Sequence, residues 1–109
     1  MSDQIHLIYI SSSIALMTPP ELEDLLHHAR KKNERHGVTG MLLYNANTFM
    51  QVLEGSETDV HEIFGSILED PRHANIVKIQ EKPIKGRAFP GWHMGFRTWD
   101  NKIGGDVPG

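Results

Sequence analysis

Two stretches with helical periodicity, each set between short apolar runs, constrain this chain more than any other feature. Leu22, Leu25, Leu26 and Ala29 recur at i, i+3, i+4 and i+7, and Val60, Ile63, Phe64, Ile67 and Leu68 repeat the pattern further on. Each set makes one apolar stripe on a helix, which has to be buried against another element. The neighbouring runs are Ile5 to Ile10, Val38 to Tyr44, Phe49 to Glu54, Ile76 to Gln80 and Trp92 to Thr98. They have the length and the β-branched or aromatic content of strands.

The boundaries carry their own signals. In Thr18-Pro19-Pro20-Glu21, Thr18 is an N-cap, Pro19 takes the first helical position and Glu21 closes a capping box. Arg30, Lys31 and Lys32 suit the negative end of the helix dipole and read as a solvated helix end, with Gly37 as the stop. Asn45-Ala46-Asn47-Thr48 is hairpin chemistry. Gly55 is expected to break the third strand, Ser56 with Asp59 to form a second capping box, and Pro71 to stop the second helix. The resulting order, βαββαββ, predicts a ferredoxin-like α+β sandwich: a mixed sheet of about five strands with two helices on one face. One domain over residues 5–98 and a polar, Gly-rich tail over 99–109 are expected. That architecture hosts many unrelated functions.

The second face of the strands is also apolar, with Ile8 and Ile10, Met41 and Leu43, Met50 and Val52. A sheet with helices on one side ordinarily shows polar residues on the other. An uncovered apolar face of this kind predicts a homo-oligomer through the outer sheet face, or a longer native chain.

Composition removes several function classes. The 109 residues suffice for one core. No apolar run approaches the ~18 residues of a membrane span, and no basic-then-apolar N-terminus marks a signal peptide, so a cytoplasmic protein is expected. Without cysteine there are no disulfides, thiolate metal sites or thiol nucleophiles. A net charge of −3 with mixed signs argues against direct nucleic-acid binding. The seven histidines show no metal-ligand spacing; His27 and His28 are adjacent and point apart on a helix. Gly-rich phosphate loops are absent before the tail.

Gln51 breaks the apolar pattern. It shares a strand face with Phe49 and Leu53, as Tyr9 shares one with Ile5 and Leu7. A buried amide without partners costs roughly 1–3 kcal/mol, so another side chain, a water or a ligand must meet it. A flat ring between the two helices would have Leu25 and Ile67 on its faces. Its polar edge would meet Asn33 and Gln51, with Tyr9 behind.

These residues fall in a recognisable pattern. Leu7-Ile8-Tyr9 is followed by Ser11, and Asn33 precedes Gly37-Val38-Thr39-Gly40. Phe49-Met50-Gln51-Val52-Leu53-Glu54-Gly55, Asp70-Pro71-Arg72-His73 and Phe89-Pro90-Gly91-Trp92-His93-Met94 follow in order. Together they resemble the BLUF family, blue-light sensors that use a flavin, from about Ile5 to Phe96.

The resemblance implies FAD, with FMN or riboflavin as alternatives. It implies that Asn33 bonds the polar edge of the ring, that Leu25 and Ile67 sandwich it, and that Gln51 links it to Tyr9. Arg72 and His73 would lie toward the ribityl and phosphate side, and Ser11, Lys32 and Phe49 complete the cofactor-binding set. Tyr9 would be the electron and proton donor and Gln51 the relay. Trp92 and Met94, two apart on one side of the last strand, would carry the signal, with one of them against Gln51. A downstream protein partner is implied, and no net substrate turnover. Two other readings of the residues are a light-insensitive dimerising module of the same fold and a small acyl-phosphate hydrolase using Arg72 and Asn33.

Overall fold

The computed structural model describes residues 3–13 and 17–98. The elements run β1 (Gln4–Ser13), α1 (Pro19–His36), β2 (Thr39–Asn45), β3 (Thr48–Ser56), α2 (Glu57–Leu68), β4 (His73–Pro83) and β5 (Gly95–Thr98). The sheet order is β4-β1-β3-β2-β5, with β5 parallel to β2 and the other pairs antiparallel. This is the expected α+β sandwich with a mixed five-stranded sheet. The predicted tail over 99–109 lies outside the described residues.

The caps act as the sequence predicts at the start of α1. The Thr18 hydroxyl accepts from the Glu21 N–H at 3.3 Å, and the Glu21 carboxylate accepts from the Thr18 N–H at 2.8 Å. At the other end Gly37 adopts φ 65°, a left-handed turn that glycine takes without strain. Between them α1 is longer than its basic run implies. Arg30, Lys31 and Lys32 lie inside the helix, and Arg35 and His36 occupy the last turn. Ser56 caps α2 by accepting from the Asp59 N–H, while its own hydroxyl donates to the Asp59 carboxylate, so the second box is not reciprocal. That helix ends at Leu68, before Pro71.

Two strand boundaries differ from expectation. β3 does not stop at Gly55 but continues to Ser56, because Ile5 of β1 pairs with Gly55 and the ladder holds it. Glycine suits that position: a Cβ there would approach Val38 Cγ2 to 3.3 Å. β5 begins at Gly95 rather than Trp92, leaving 91–94 outside the ladder after Gly91 at φ 80°.

The inward faces of β1, β2 and β3 supply Ile5, Leu7, Tyr9, Leu42, Phe49 and Leu53, packed against Leu22, Leu25 and Leu26 of α1 and Val60 and Ile63 of α2. Burying each such side chain is worth about 1.5–3 kcal/mol, which drives both helices onto one face. The other face carries the predicted apolar rows, Ile8 beside Val52 and Met41, and Ile10 beside Met50 and Leu43. Ile10 is 38% exposed there.

Candidate functional site

Antiparallel pairing sets Tyr9 directly opposite Gln51, so both side chains rise from the same face of the sheet. Both are buried, Tyr9 completely. The Tyr9 hydroxyl donates to Gln51 Oε1, and Gln51 Nε2 donates to Met94 Sδ at 3.2 Å. The amide therefore bridges a strong donor and a soft, weak acceptor. Burial, with the Asp70 charge adding to it, pushes the Tyr9 phenol well above its usual range, so it stays a neutral donor.

Gln51 also lines a cavity of about 180 Å³ between α1 and α2. Leu25 and Ala29 of α1 face Ile63 and Ile67 of α2 across it, and Asn33 and Leu42 lie at its sheet end. Asn33 is buried, and its Nδ2 donates to the His93 carbonyl at 2.7 Å. The same side chain borders the cavity, where an amide has both a donor and an acceptor to offer. At the rim the Lys32 ammonium donates to the Ser66 hydroxyl, spanning from α1 to α2.

Asp70, Arg72 and His73 close the remaining side. The Arg72 guanidinium donates to Asp70 through Nη2 at 2.8 Å and Nε at 3.1 Å. Partial burial raises the Asp70 carboxyl, but Arg72 outweighs it and holds the group below the usual carboxylate range. Burial pushes the His73 imidazole below its usual range against the opposite pull of Asp70. His73 shares a hydrogen bond of 2.9 Å with the Ser11 hydroxyl, and its ring packs at 4.9 Å from Phe49. Ser11 and Phe49 thus stand one layer behind the cavity, supporting His73 rather than lining the space.

Met94 and Trp92 part company. Met94 is buried against Gln51, whereas Trp92 is 49% exposed. The expectation that they share one side of a strand fails because 91–94 is not strand, and the alternation rule does not apply to it. Ala29, Leu42, Ile63, Ser66 and Asp70 join the residues that the sequence pointed to. Ser66 carried no local signal, and the others only membership of an apolar stripe, a strand or a quoted motif. Distant pairing also gives histidines partners that spacing could not foresee: His36 lies 3.2 Å from Asp59 and 3.4 Å from Glu62.

The donor set fits a flavin. Leu25, Ile63 and Ile67 offer apolar faces to a planar ring, Asn33 and Gln51 offer polar atoms to its edge, and Lys32 and Arg72 put cations at the rim. At about 180 Å³ the space is below the ~300 Å³ of ordinary small-molecule sites. A larger groove of about 570 Å³ lies between α1 and residues 91–97, and neither Gln51 nor Asn33 lines it.

Comparison with known proteins bears on this arrangement. Residues 4–95 match the family model BLUF, described as sensors of blue-light using FAD. The chain is 38% identical over 101 residues to the photoactivated adenylate cyclase subunit alpha of Euglena gracilis, an alignment covering 87% of this chain and 10% of that protein. It thus spans about a tenth of the length of the curated relative. Among solved structures, the dark state of BlrB, a BLUF protein, superposes with a TM-score of 0.85 at 34% identity, covering 90% of this chain and 74% of BlrB. A bacterial light-regulated adenylyl cyclase also reaches 0.85, at 31% identity, covering 93% of this chain and 30% of that one.

Proposed function

This chain belongs to the BLUF family of blue-light sensors that use FAD, and on that premise we propose that light acts through the Tyr9–Gln51–Met94 chain of hydrogen bonds. The supporting observation is that these three residues are buried and that Gln51, the middle one, lines the cavity between α1 and α2. In this reading the ring lies between Leu25 and Ile67, Asn33 Oδ1 and the Gln51 amide meet its polar edge, and Lys32 and Arg72 attract the phosphates. When bound, the flavin supplies blue-light absorption and, once excited, an oxidant strong enough to draw an electron from a hydrogen-bonded phenol.

The protein's own part is proton handling. Burial makes the Tyr9 hydroxyl hard to ionise in the dark, so its proton leaves only as the Tyr9 phenol itself gives up an electron. Gln51 Oε1, already its acceptor, is the route for that proton. Electron and proton then return to Tyr9, and nothing is consumed. Gln51 is left rotated or in its other tautomer. A rotated amide turns an oxygen toward Met94 Sδ where an N–H stood, and two acceptors no longer bond. The altered contact with Met94 is the two-state element that a partner distinguishes.

A hydrolase reading loses one of its two residues, because the Asn33 amide N–H is taken by the His93 main-chain carbonyl. The apolar rows around Ile10 and Met50 support self-association through the outer sheet face, to be read as a lower sedimentation coefficient in Ile10→Glu. No helix among the described residues is long and apolar enough to cross a membrane.

Flavin binding is tested by purifying the chain beside Ile67→Trp, which fills the cavity. A flavin absorption band in the wild type that is lost in Ile67→Trp, with folding intact by circular dichroism, supports the site. An equal band in both proteins would move the flavin elsewhere.

A further inference from the structure

Three consecutive carbonyls leading into β5 are each held by a different donor. That of Trp92 accepts from the Gly40 N–H at 2.9 Å, that of His93 from Asn33 Nδ2 at 2.7 Å, and that of Met94 from Arg30 Nε at 2.9 Å. Because 91–94 lies outside the sheet ladder, these bonds fix its position. Two of the donors, Arg30 and Asn33, are one turn apart on α1. Asn33 borders the cavity between the helices, whereas Arg30 borders the outer groove with Lys31, Met41, Trp92 and Phe96.

Met94 is therefore in contact with both sides. Its thioether meets the Gln51 amide inside, and its carbonyl meets the Arg30 guanidinium outside. A hydrogen bond from an ionised donor is roughly twice as strong as a neutral one, and it weakens steeply as the angle bends. Where repacking of the Met94 side chain shifts its main chain, the Met94 carbonyl turns with it. The bond to Arg30 registers that turn on a different element.

Resting on the photoreceptor reading above, we propose that Arg30 is a positioning residue that carries the state of the Gln51–Met94 contact to α1. The groove between α1 and residues 91–97 is then the surface whose shape differs between dark and light. Arg30 does not line the cavity between the helices, and without it Gly40 and Asn33 still hold the Trp92 and His93 carbonyls, so the Tyr9–Gln51 pair and the light reaction stay in place.

The test is ¹⁵N NMR of the flavin-loaded full chain in the dark and under blue light, with absorption recorded on the same samples. In the wild type the Arg30 Nε–H resonance should move or broaden on illumination, together with the amides of His27, Lys31 and Glu34, which border the outer groove, and those of 95–98. In Arg30→Ala the flavin absorption shift and the changes over 95–98 should remain, while those at His27, Lys31 and Glu34 fall at least fivefold. Arg30→Lys, which keeps a cationic donor, should restore part of them. Light-induced changes at His27, Lys31 and Glu34 that persist in Arg30→Ala would overturn the proposal, as would a wild type that shifts its absorption while these three stay still. A wild type with bound flavin and no reversible shift would overturn this proposal and the photoreceptor reading together.

Discussion

Tyr9 and Gln51 offer a stability experiment that does not depend on a bound cofactor. Tyr9→Phe removes the only donor shown to meet Gln51 Oε1, and the Gln51 side chain is 5% exposed. Gln51→Leu keeps a similar volume but leaves the Tyr9 hydroxyl, in a residue 0% exposed, without its acceptor. Each single substitution strands a buried polar group, at about 1–3 kcal/mol. Losing the bond to Met94 adds little in Gln51→Leu, because a thioether is a weak acceptor. The double variant replaces both partners by apolar groups and should lie close to the wild type, a coupling of about 2–6 kcal/mol. For a domain of this size each kcal/mol is about 4–8 °C in Tm, so thermal and urea unfolding followed by circular dichroism resolve the cycle. Additive losses, or singles within about 0.5 kcal/mol of the wild type, would refute the claim that these two groups satisfy each other in the interior.

Two other outcomes follow from single sites. In Gly40→Ala the new Cβ would lie 1.9 Å from the Val52 carbonyl oxygen, a backbone atom that cannot step aside, so thermal unfolding should show a loss of at least about 1–3 kcal/mol; an unchanged Tm would mean that β2 and β3 do not approach as described. His73 has a lowered folded-state pKa, so the unfolded chain takes up the proton first as pH falls through about 6.5, and the stability His73 contributes is lost on acidification. Urea midpoints from pH 8 to 5 should fall less steeply in His73→Asn than in the wild type, and equal slopes would remove His73 as the source.

What was legible in the sequence was what local rules determine. The stripes of Leu22, Leu25 and Leu26 and of Val60 and Ile63 fix two helices, and Thr18 and Gly37 fix the ends of the first. Period-two alternation put Tyr9 and Gln51 on inward faces, though only the register joined them. The rest depends on contacts between distant segments. Arg30 read as a solvated charge, yet it reaches the Met94 carbonyl, and Lys32 reaches Ser66 of α2, a partner that its position did not announce. Glu54 read as the end of a strand, yet it is buried and accepts from Thr39 Oγ1 and from the main-chain N–H groups of Ala88 and Phe89. Nothing near position 54 in sequence announces those partners. Residues 91–94 defeated the strand rule because carbonyl capture by Gly40, Asn33 and Arg30 holds them, and no periodicity records that.

The central claim is that Tyr9 and Gln51 together turn light into a changed hydrogen-bond arrangement. Its most direct test is the light-minus-dark absorption spectrum of the flavin-loaded wild type, Tyr9→Phe and Gln51→Leu. The account predicts a small red shift in the wild type that relaxes in the dark, and no such cycle in either variant although both hold flavin. A full, reversible shift in Gln51→Leu would contradict it, because the group assigned to carry the change would then be dispensable.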